Sequence, residues 1–290
     1  MVIHHARAVH LLHIFGEHDS GKRRGVYEHM RRRRRKILKV GNVLVKSQKQ
    51  LDGIRESGRI NTAVLDYVEQ HIRAGISTAQ IDRWVYDLTT ERGAIPAPLN
   101  FEGFPKSVCT SLNSVVCHGI PNEKTILKEG DIINVDVSTE YKGYFSDASR
   151  TFCIGEVSQD KKRLVKVAKE AVSVGLMAVK PWNPIGDMGH AVHMFVESQG
   201  YTVVEDIGGH GVGLEFHEDP WVSYVAPRGS GELMLPGMVF TIEPMINMGS
   251  PDFYVDESNG WTVYTEDGMP SAQWEVTVAV TEYGYELMSW

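Results

Sequence analysis

The chain has 290 residues, a formal net charge of −7 and a hydrophobic content of 42%, which is ordinary for a globular protein with a sizeable core. No apolar run reaches the ~20 residues that span a membrane, so we expect no membrane segment. Three cysteines without zinc-type spacing are a poor disulfide framework and indicate a reducing compartment, which we take to be the cytoplasm.

Positive charge is concentrated at the amino end of the chain. Residues 1–36 hold ten Lys or Arg against three Asp or Glu, whereas the remaining residues hold 20 against 34. Residues 31–35 are an unbroken arginine run just after Met30. The simplest interpretation is a solvated tail, or an extension upstream of a natural start at Met30. Contact with RNA phosphates is a second interpretation, and a mitochondrial presequence, which the acidic residues of the arm disfavour, is a third.

We predict a basic, flexible arm over residues 1–44 and one folded domain over residues 45–290. In this domain Ser47 should cap a helix that ends at Gly75, and Ser77 or Thr78 should cap a second helix that stops at Gly93. Strands at 108–116, 132–137 and 145–154 follow this first helix pair. A second helix pair is predicted at 159–179 and 188–199, followed by strands at 202–205, 238–242 and 273–280. Two helices followed by antiparallel strands, twice over, indicate an α+β fold.

Asp136 and Asp147 lie on either side of a predicted hairpin centred on Tyr141 and Lys142. In that register they are directly opposite each other, on one face, with Cβ atoms roughly 5 Å apart. Two buried carboxylates this close would repel, and one would have to take up a proton. A pair of divalent cations removes the conflict, because such ions prefer oxygen ligands.

The pattern around Asp136 recurs later in the chain. Residues 127–136 match residues 234–243, since each stretch has a turn Gly, an apolar strand and a carboxylate six residues after the Gly. In the second copy this carboxylate is Glu243, and Glu275 follows as the counterpart of Asp147. The repeat predicts a duplicated unit whose two copies supply ligands to one site at a pseudo-twofold interface.

One histidine completes the predicted site. His210 is flanked by glycines, where backbone can approach closely. A lone imidazole beside oxygen ligands is typical of a catalytic rather than a structural metal site. Four carboxylates balance two divalent ions and leave room for a bridging hydroxide. The predicted metal ligands are Asp136, Asp147, His210, Glu243 and Glu275.

Five further strings occur in order along the chain: FPKSVC at 104–109, VCHGIP at 116–121, GGHGVG at 208–213, FHEDP at 216–220 and SAQWE at 271–275. Together they resemble type I methionine aminopeptidases, and the resemblance runs from about residue 45 to the end. It implies the pita-bread fold, with an internal pseudo-twofold duplication, that is shared with aminopeptidase P, prolidase and creatinase. It also implies removal of the N-terminal methionine from nascent proteins and peptides, with a small second residue preferred.

The resemblance assigns roles to the candidate residues. The ligand roles are Asp136 for one metal, His210 and Glu243 for the other, and Asp147 and Glu275 as bridges. The two ions, drawn from Co, Mn, Fe or Zn, would lower the pKa of a bound water and polarise the scissile carbonyl. Glu243 would carry the proton to the leaving amine. His118 and His217, which are not ligands, would hydrogen-bond the substrate and stabilise the tetrahedral intermediate.

A methionine pocket is also implied, since a thioether packs favourably on aromatic rings. Its lining by resemblance is Phe101, Phe104, Cys109, Phe216 and Trp261. The chain departs from the family pattern at Phe101 and Phe104, where many members carry Tyr, and at Pro98 and Glu102, where Cys and His are common. We therefore expect a drier pocket with a charge near its mouth.

The expected partners are nascent polypeptide N-termini, and the RNA that the basic arm could contact would then be ribosomal. We expect a monomer. A proline-directed peptidase of the same fold is the main rival, which FPKSVC, VCHGIP and the lack of a large N-terminal domain disfavour. A non-catalytic binding protein is a second rival, which the five filled ligand positions disfavour.

Overall fold

The computed structural model describes residues 2–3 and 38–290. The arginine run, Met30 and most of the predicted arm lie outside the described residues. Within residues 38–290, no helix is long and apolar enough to cross a membrane.

In residues 38–290, four α-helices form the two predicted pairs: α1 (Gln48–His71), α2 (Thr78–Glu91), α3 (Gln159–Ala178) and α4 (Ile185–Ser198). Ser47 precedes α1, and Gln50 Oε1 accepts hydrogen bonds from its backbone N–H at 2.7 Å and its hydroxyl at 2.8 Å. Ser77, rather than Thr78, caps α2, because its hydroxyl accepts a bond from the Gln80 N–H at 3.2 Å. The first helix ends at His71, earlier than predicted, since Ile72 is already extended.

A 3-10 helix at Phe101–Gly103 and a series of strands make up the rest of the described regular structure. The strands are β1 (Val2–Ile3), β2 (Leu38–Val40), β3 (Val43–Val45), β4 (Ile95–Pro96), β5 (Cys109–Leu112), β6 (Val115–Cys117), β7 (Ile132–Tyr141), β8 (Tyr144–Cys153), β9 (Thr202–Val203), β10 (Ile207–Gly211), β11 (Glu218–Val222), β12 (Val239–Ile242), β13 (Met245–Asn247), β14 (Phe253–Val255), β15 (Val263–Thr265), β16 (Ser271–Gln273), β17 (Val276–Val280) and β18 (Tyr285–Ser289). Two antiparallel sheets dominate: β4-β7-β5 with β8 on β7, and β1-β10-β12-β17-β18 with β11 on β10.

Each half of the chain has its own core between a helix pair and a sheet. In the first half the buried faces of α1 and α2 pack on β7 and β8, with Val68, Val85 and Val135 among the residues in contact. In the second half α3 and α4 pack on β12 and β17, with Val192 and Phe240 among them. The α+β fold predicted from the sequence is therefore confirmed.

The duplication predicted from residues 127–136 and 234–243 is visible in matching backbone hydrogen bonds. The N–H of Gly130 donates to Ile154 at 2.9 Å, and the N–H of Gly237 donates to Val280 at 2.9 Å. Both glycines have a left-handed φ, of 89° and 93°, which explains the Gly at this position in each copy. Strands β7 and β12 each begin two residues later, so Asp136 and Glu243 occupy equivalent positions.

The hairpin turn lies one residue later than predicted, so the predicted strand register was wrong. The turn is at Lys142 and Gly143, which both have positive φ as a type I′ turn requires, and Tyr141 pairs with Tyr144. Asp136 is therefore opposite Ser149, and Asp147 is opposite Ser138. Because side chains alternate along a strand, the two aspartates still share one face, as diagonal rather than direct neighbours.

The two halves meet where β8 lies beside a break between β16 and β17. The predicted strand at 273–280 is split there, and Trp274 and Glu275 lie in the gap. Ser149 and Glu275 exchange two backbone hydrogen bonds across this seam, at 3.0 and 3.3 Å. Since Ile154 matches Val280, the equivalent of Glu275 is Ser149, and the equivalent of Asp147 is Gln273. The expected correspondence between Asp147 and Glu275 was therefore shifted by two residues.

The hairpin β2–β3 lies before the expected domain boundary and packs on the folded part. Val43 and Leu44 are buried. Directly after β3, the backbone N–H of Lys46 donates to the Gly237 carbonyl at 2.8 Å. The Lys46 ammonium forms an ion pair with Glu218 of β11, and their side chains are 0% and 4% exposed. This pair ties the amino-terminal hairpin to the loop that carries His217.

Removing one partner of this buried pair should be costly, because the other charge would be left without compensation. We expect Lys46→Met to lower the free energy of unfolding by about 3–5 kcal/mol. The double variant Lys46→Met/Glu218→Leu, which removes both charges, should recover most of that loss. Urea unfolding of the three proteins measures both values. Equal stability of wild type and Lys46→Met would show that the pair does not hold the hairpin.

Candidate metal centre and substrate pocket

The five predicted ligands come together at the seam between the halves. Asp136 and Asp147 come from β7 and β8, His210 from β10, Glu243 from the position directly after β12, and Glu275 from the gap before β17. Asp147, His210, Glu243 and Glu275 are between 0% and 4% exposed, and Asp136 is partly buried. Ligand atoms of Asp147, His210 and Glu275 all lie within 4.8 Å of one another.

His210 presents one nitrogen to the carboxylates without a hydrogen bond. Its Nδ1 lies 2.9 Å from the Gly211 carbonyl, so we assign the proton to Nδ1. Its Nε2 lies 3.7 Å from Asp147 Oδ2 and 3.6 Å from Glu243 Oε1, and has no hydrogen-bond partner. A buried lone pair aimed at carboxylate oxygens, too far for a hydrogen bond, is the arrangement that a metal ion between them requires.

The two aspartates are forced close together in a buried site. Burial, followed by the nearby charge of Asp147, raises the pKa of Asp136 well above its usual range. Burial raises the pKa of Asp147 to about 6. The remaining Asp136 oxygen, Oδ1, has no partner. The conflict between neighbouring carboxylates that the sequence predicted is therefore present.

Glu243 and Glu275 extend the same electrostatic conflict. Burial raises the pKa of Glu243 to about 7, and burial together with the charge of Asp147 raises the pKa of Glu275 well above its usual range. The Thr241 hydroxyl donates to Glu243 Oε1 at 2.7 Å, and Gln273 Nε2 donates to Oε2 at 3.2 Å. These neutral donors orient the carboxylate without cancelling its charge. An oxygen-rich donor set with one imidazole fits divalent cations.

His118 and His217 lie beside the centre. The ring centroids of His210 and His217 are 4.4 Å apart. Burial lowers the pKa of His118 to about 3 and lowers that of His217 far below its usual value. Both imidazoles are therefore uncharged at neutral pH and can act as hydrogen-bonding groups. A cavity of about 370 Å³ opens beside His210 and His217.

The predicted pocket residues form two aromatic groups, one against each of these histidines. Phe101 lies edge-on to Phe216 at 4.9 Å between centroids, and Phe216 stacks on His217 at 4.2 Å. Phe104 lies edge-on to Trp261 at 5.2 Å, and Trp261 lies 6.0 Å from His118.

Cys109 lies beside a predicted metal ligand. It is 6% exposed and is opposite Asp136 in the β5–β7 ladder. Glu102 is exposed, so its expected charge is available to solvent near Phe101. The substrate roles of these residues stay predictions.

Sequence reasoning missed several residues that shape the centre. Phe145 stacks on Phe216 at 6.2 Å, and the period of two along β8 could have placed it on the face of Asp147. The Ser138 hydroxyl donates to Asp147 Oδ1 at 2.8 Å. The Tyr224 hydroxyl accepts a hydrogen bond from the Glu243 backbone N–H at 2.6 Å, and no sequence pattern indicates this contact.

Known proteins with related sequences share this architecture. The sequence model of metallopeptidase family M24 matches residues 52–282. Methionine aminopeptidase A of Synechocystis is 45% identical over 243 residues, which cover 84% of this chain and 96% of that protein. The crystal structure of methionine aminopeptidase from Rickettsia prowazekii superposes with a TM-score of 0.84 at 40% identity, over 86% of this chain and all of that one. A prolidase from Pyrococcus horikoshii, 21% identical with a TM-score of 0.67, shares the fold.

Metal affinity should depend on pH in a defined direction. Asp147 and Glu243, with pKa values raised by burial to about 6 and about 7, must lose protons before they bind a cation. We therefore expect Mn²⁺ affinity to rise from about pH 5 to about pH 8, with proton release near pH 6. Calorimetric titration in two buffers of different ionisation enthalpy measures both.

The metal-free protein provides the complementary control. In the folded state Asp147 and Glu243 keep their protons to a higher pH than in the unfolded state. Their contribution to the free energy of unfolding is therefore present at low pH and is lost as pH rises through about 6 and 7. Metal affinity that did not change with pH would contradict raised pKa values for Asp147 and Glu243 in the metal-free protein.

Proposed function

Because the chain belongs to metallopeptidase family M24, we propose that it is a methionine aminopeptidase, a hydrolase that removes the N-terminal methionine from nascent proteins and peptides with a small second residue. The observation that supports this best is the convergence of Asp147, Glu243 and Glu275 on the unpartnered Nε2 of His210, with Asp136 on the same face of the β7–β8 hairpin as Asp147. Two relatives named methionine aminopeptidase are 40–45% identical over most of both chains. This similarity supports a methionine aminopeptidase over a proline-directed peptidase.

The proposed centre would hold two divalent ions, of Co, Mn, Fe or Zn. The residues that would hold them are Asp136, Asp147, His210, Glu243 and Glu275. When bound, such ions supply Lewis acidity and make water a stronger acid. The four negative charges of the carboxylates equal the positive charge of two divalent ions. Asp136 Oδ1 and His210 Nε2 are buried and have no hydrogen-bond partner, so both are free to bind a cation.

The side chains around the centre would position the substrate and move its proton. Glu243, held by Thr241 and Gln273, would take the proton from water and deliver it to the leaving amine. His118 and His217, uncharged through burial, would donate hydrogen bonds to the substrate and to the oxyanion.

A methionine side chain would fit between the two aromatic groups. Phe101 and Phe216 would form one wall, and Phe104 and Trp261 would form the other. Cys109 would close the end near Asp136. Aromatic rings around a flexible thioether favour methionine over polar side chains.

We also propose that the chain acts in the cytoplasm as a monomer and that the arginine run at residues 31–35 contacts ribosomal RNA. The support is the sequence: five adjacent arginines can neutralise phosphates, and nascent chains emerge at the ribosome.

Substrate choice tests the proposed activity. The metal-loaded protein should release methionine from Met-Ala-Ser and should leave Ala-Pro-Ser intact, because the aromatic pocket selects the first residue. Chromatographic detection of the released amino acid measures both reactions. Preferential cleavage of Ala-Pro-Ser would instead assign the chain to the proline-directed peptidases.

Two substitutions separate the proposed ligand from the proposed hydrogen-bond donor. Glu243→Gln should lower kcat by more than about tenfold, since it removes both a ligand and the proton carrier. His217→Ala should lower kcat and leave metal content unchanged, because His217 holds no ligand position. His193→Ala is a matched control, since that histidine pairs with Glu197 on α4, 3.4 Å apart. Loss of metal from the His217 variant would make it a ligand.

A further inference from the structure

The strand that carries His210 accepts a short added strand close to the metal centre. Val2 and Ile3 pair antiparallel with β10, Val2 opposite Gly208 and Ile3 opposite Ile207. Among the other described strands, β11 pairs with β10 at residues 209–211 and β12 pairs with it at Gly211. Ile207 and Gly208 thus receive their ladder partners from an extended segment far away in sequence.

The direction of this pairing matches the requirement of an exopeptidase. Because the strands are antiparallel, the added segment runs with its amino end toward His210 and its carboxyl end away from it. In the same register, the residue before the one opposite Gly208 would be opposite Gly209, beside His210. A peptide bound in this way would present its first residue to the metal ligands.

The surroundings of this edge also fit a peptide. Ile207 is 1% exposed and packs in a cluster with Cys117 and Val263. Gly208 has no room for a side chain, because a Cβ would lie 2.3 Å from the Val222 carbonyl. The edge is therefore fixed by packing and offers main-chain groups rather than side chains.

We propose that Ile207 and Gly208 bind the main chain of the peptide substrate as an added antiparallel strand, with the third substrate residue opposite Ile207 and the second opposite Gly208. The inference rests on the proposed aminopeptidase function and adds how the substrate is held beyond its first residue. Recognition through main-chain hydrogen bonds is compatible with many sequences after the second residue, as nascent chains require. The chain's own Val2–Ile3 occupies the edge in the structure, so a substrate must displace it.

Peptides with one amide replaced by an ester test this binding mode on the full, metal-loaded chain. The parent is Met-Ala-Ala-Ala-Ala. Lactic acid in place of the third residue makes the bond between residues two and three an ester, which removes one N–H and weakens the preceding carbonyl as an acceptor. One of these two groups faces β10 whichever residue pair is hydrogen-bonded. Lactic acid in place of the fifth residue makes the same change beyond the paired positions.

The ester at the third residue should lower kcat/KM about three- to tenfold, the range expected for one lost hydrogen bond. The ester at the fifth residue should leave kcat/KM unchanged. Equal kcat/KM for all three peptides would overturn the proposed strand pairing while leaving the aminopeptidase activity intact. Failure to release methionine from any of them would contradict the proposed function itself.

Discussion

Four carboxylates gathered around one buried imidazole are the constraint on which the rest of the structure depends. Within residues 38–290 no Lys or Arg forms an ion pair with any of them. Asp147 and Glu243 are instead held by neutral donors, Asp147 by Ser138 and Glu243 by Thr241 and Gln273. Their charge is left for an external cation, and burial makes the charged state unfavourable without one. The neighbouring Glu218 shows the other solution, since Lys46 neutralises it within the chain.

The duplicated fold is what brings these groups to one place. Asp136 and Glu243 occupy equivalent positions, each six residues after the turn glycine, but the second strand of each half differs between the copies. One half has Asp147 and Ser149 where the other has Gln273 and Glu275, as the matched bonds of Ile154 and Val280 show. Each copy therefore contributes one carboxylate and one neutral polar residue at these two positions. The seam is symmetric in backbone and asymmetric in chemistry, which lets Gln273 orient Glu243.

Much of this arrangement could be predicted from the sequence because it rests on local patterns. Helix caps such as Ser77, the repeated turn glycines and the identity of the gathered carboxylates follow from residue type and spacing. The hairpin register failed because Lys142 at positive φ gives no sequence signal, so the turn was placed one residue early. Alternation on a strand preserved the shared face of Asp136 and Asp147 despite that error.

Contacts between segments that are far apart in the chain could not be predicted from the sequence. The ion pair of Lys46 with Glu218, the phenol of Tyr224 beside Glu243 and the pairing of Val2 with Gly208 depend on tertiary packing. The pocket lining came from the family resemblance, and Phe145 was missed although its position on the face of Asp147 could have indicated it.

The most direct test is the metal content of the full-length chain together with its turnover of Met-Ala-Ser before and after chelation. A dinuclear centre predicts two divalent ions per chain after reconstitution, loss of turnover when they are removed, and recovery when they are returned. Turnover that persists in fully metal-free protein would contradict the assignment of Asp136, Asp147, His210, Glu243 and Glu275 as the ligands of a catalytic metal centre.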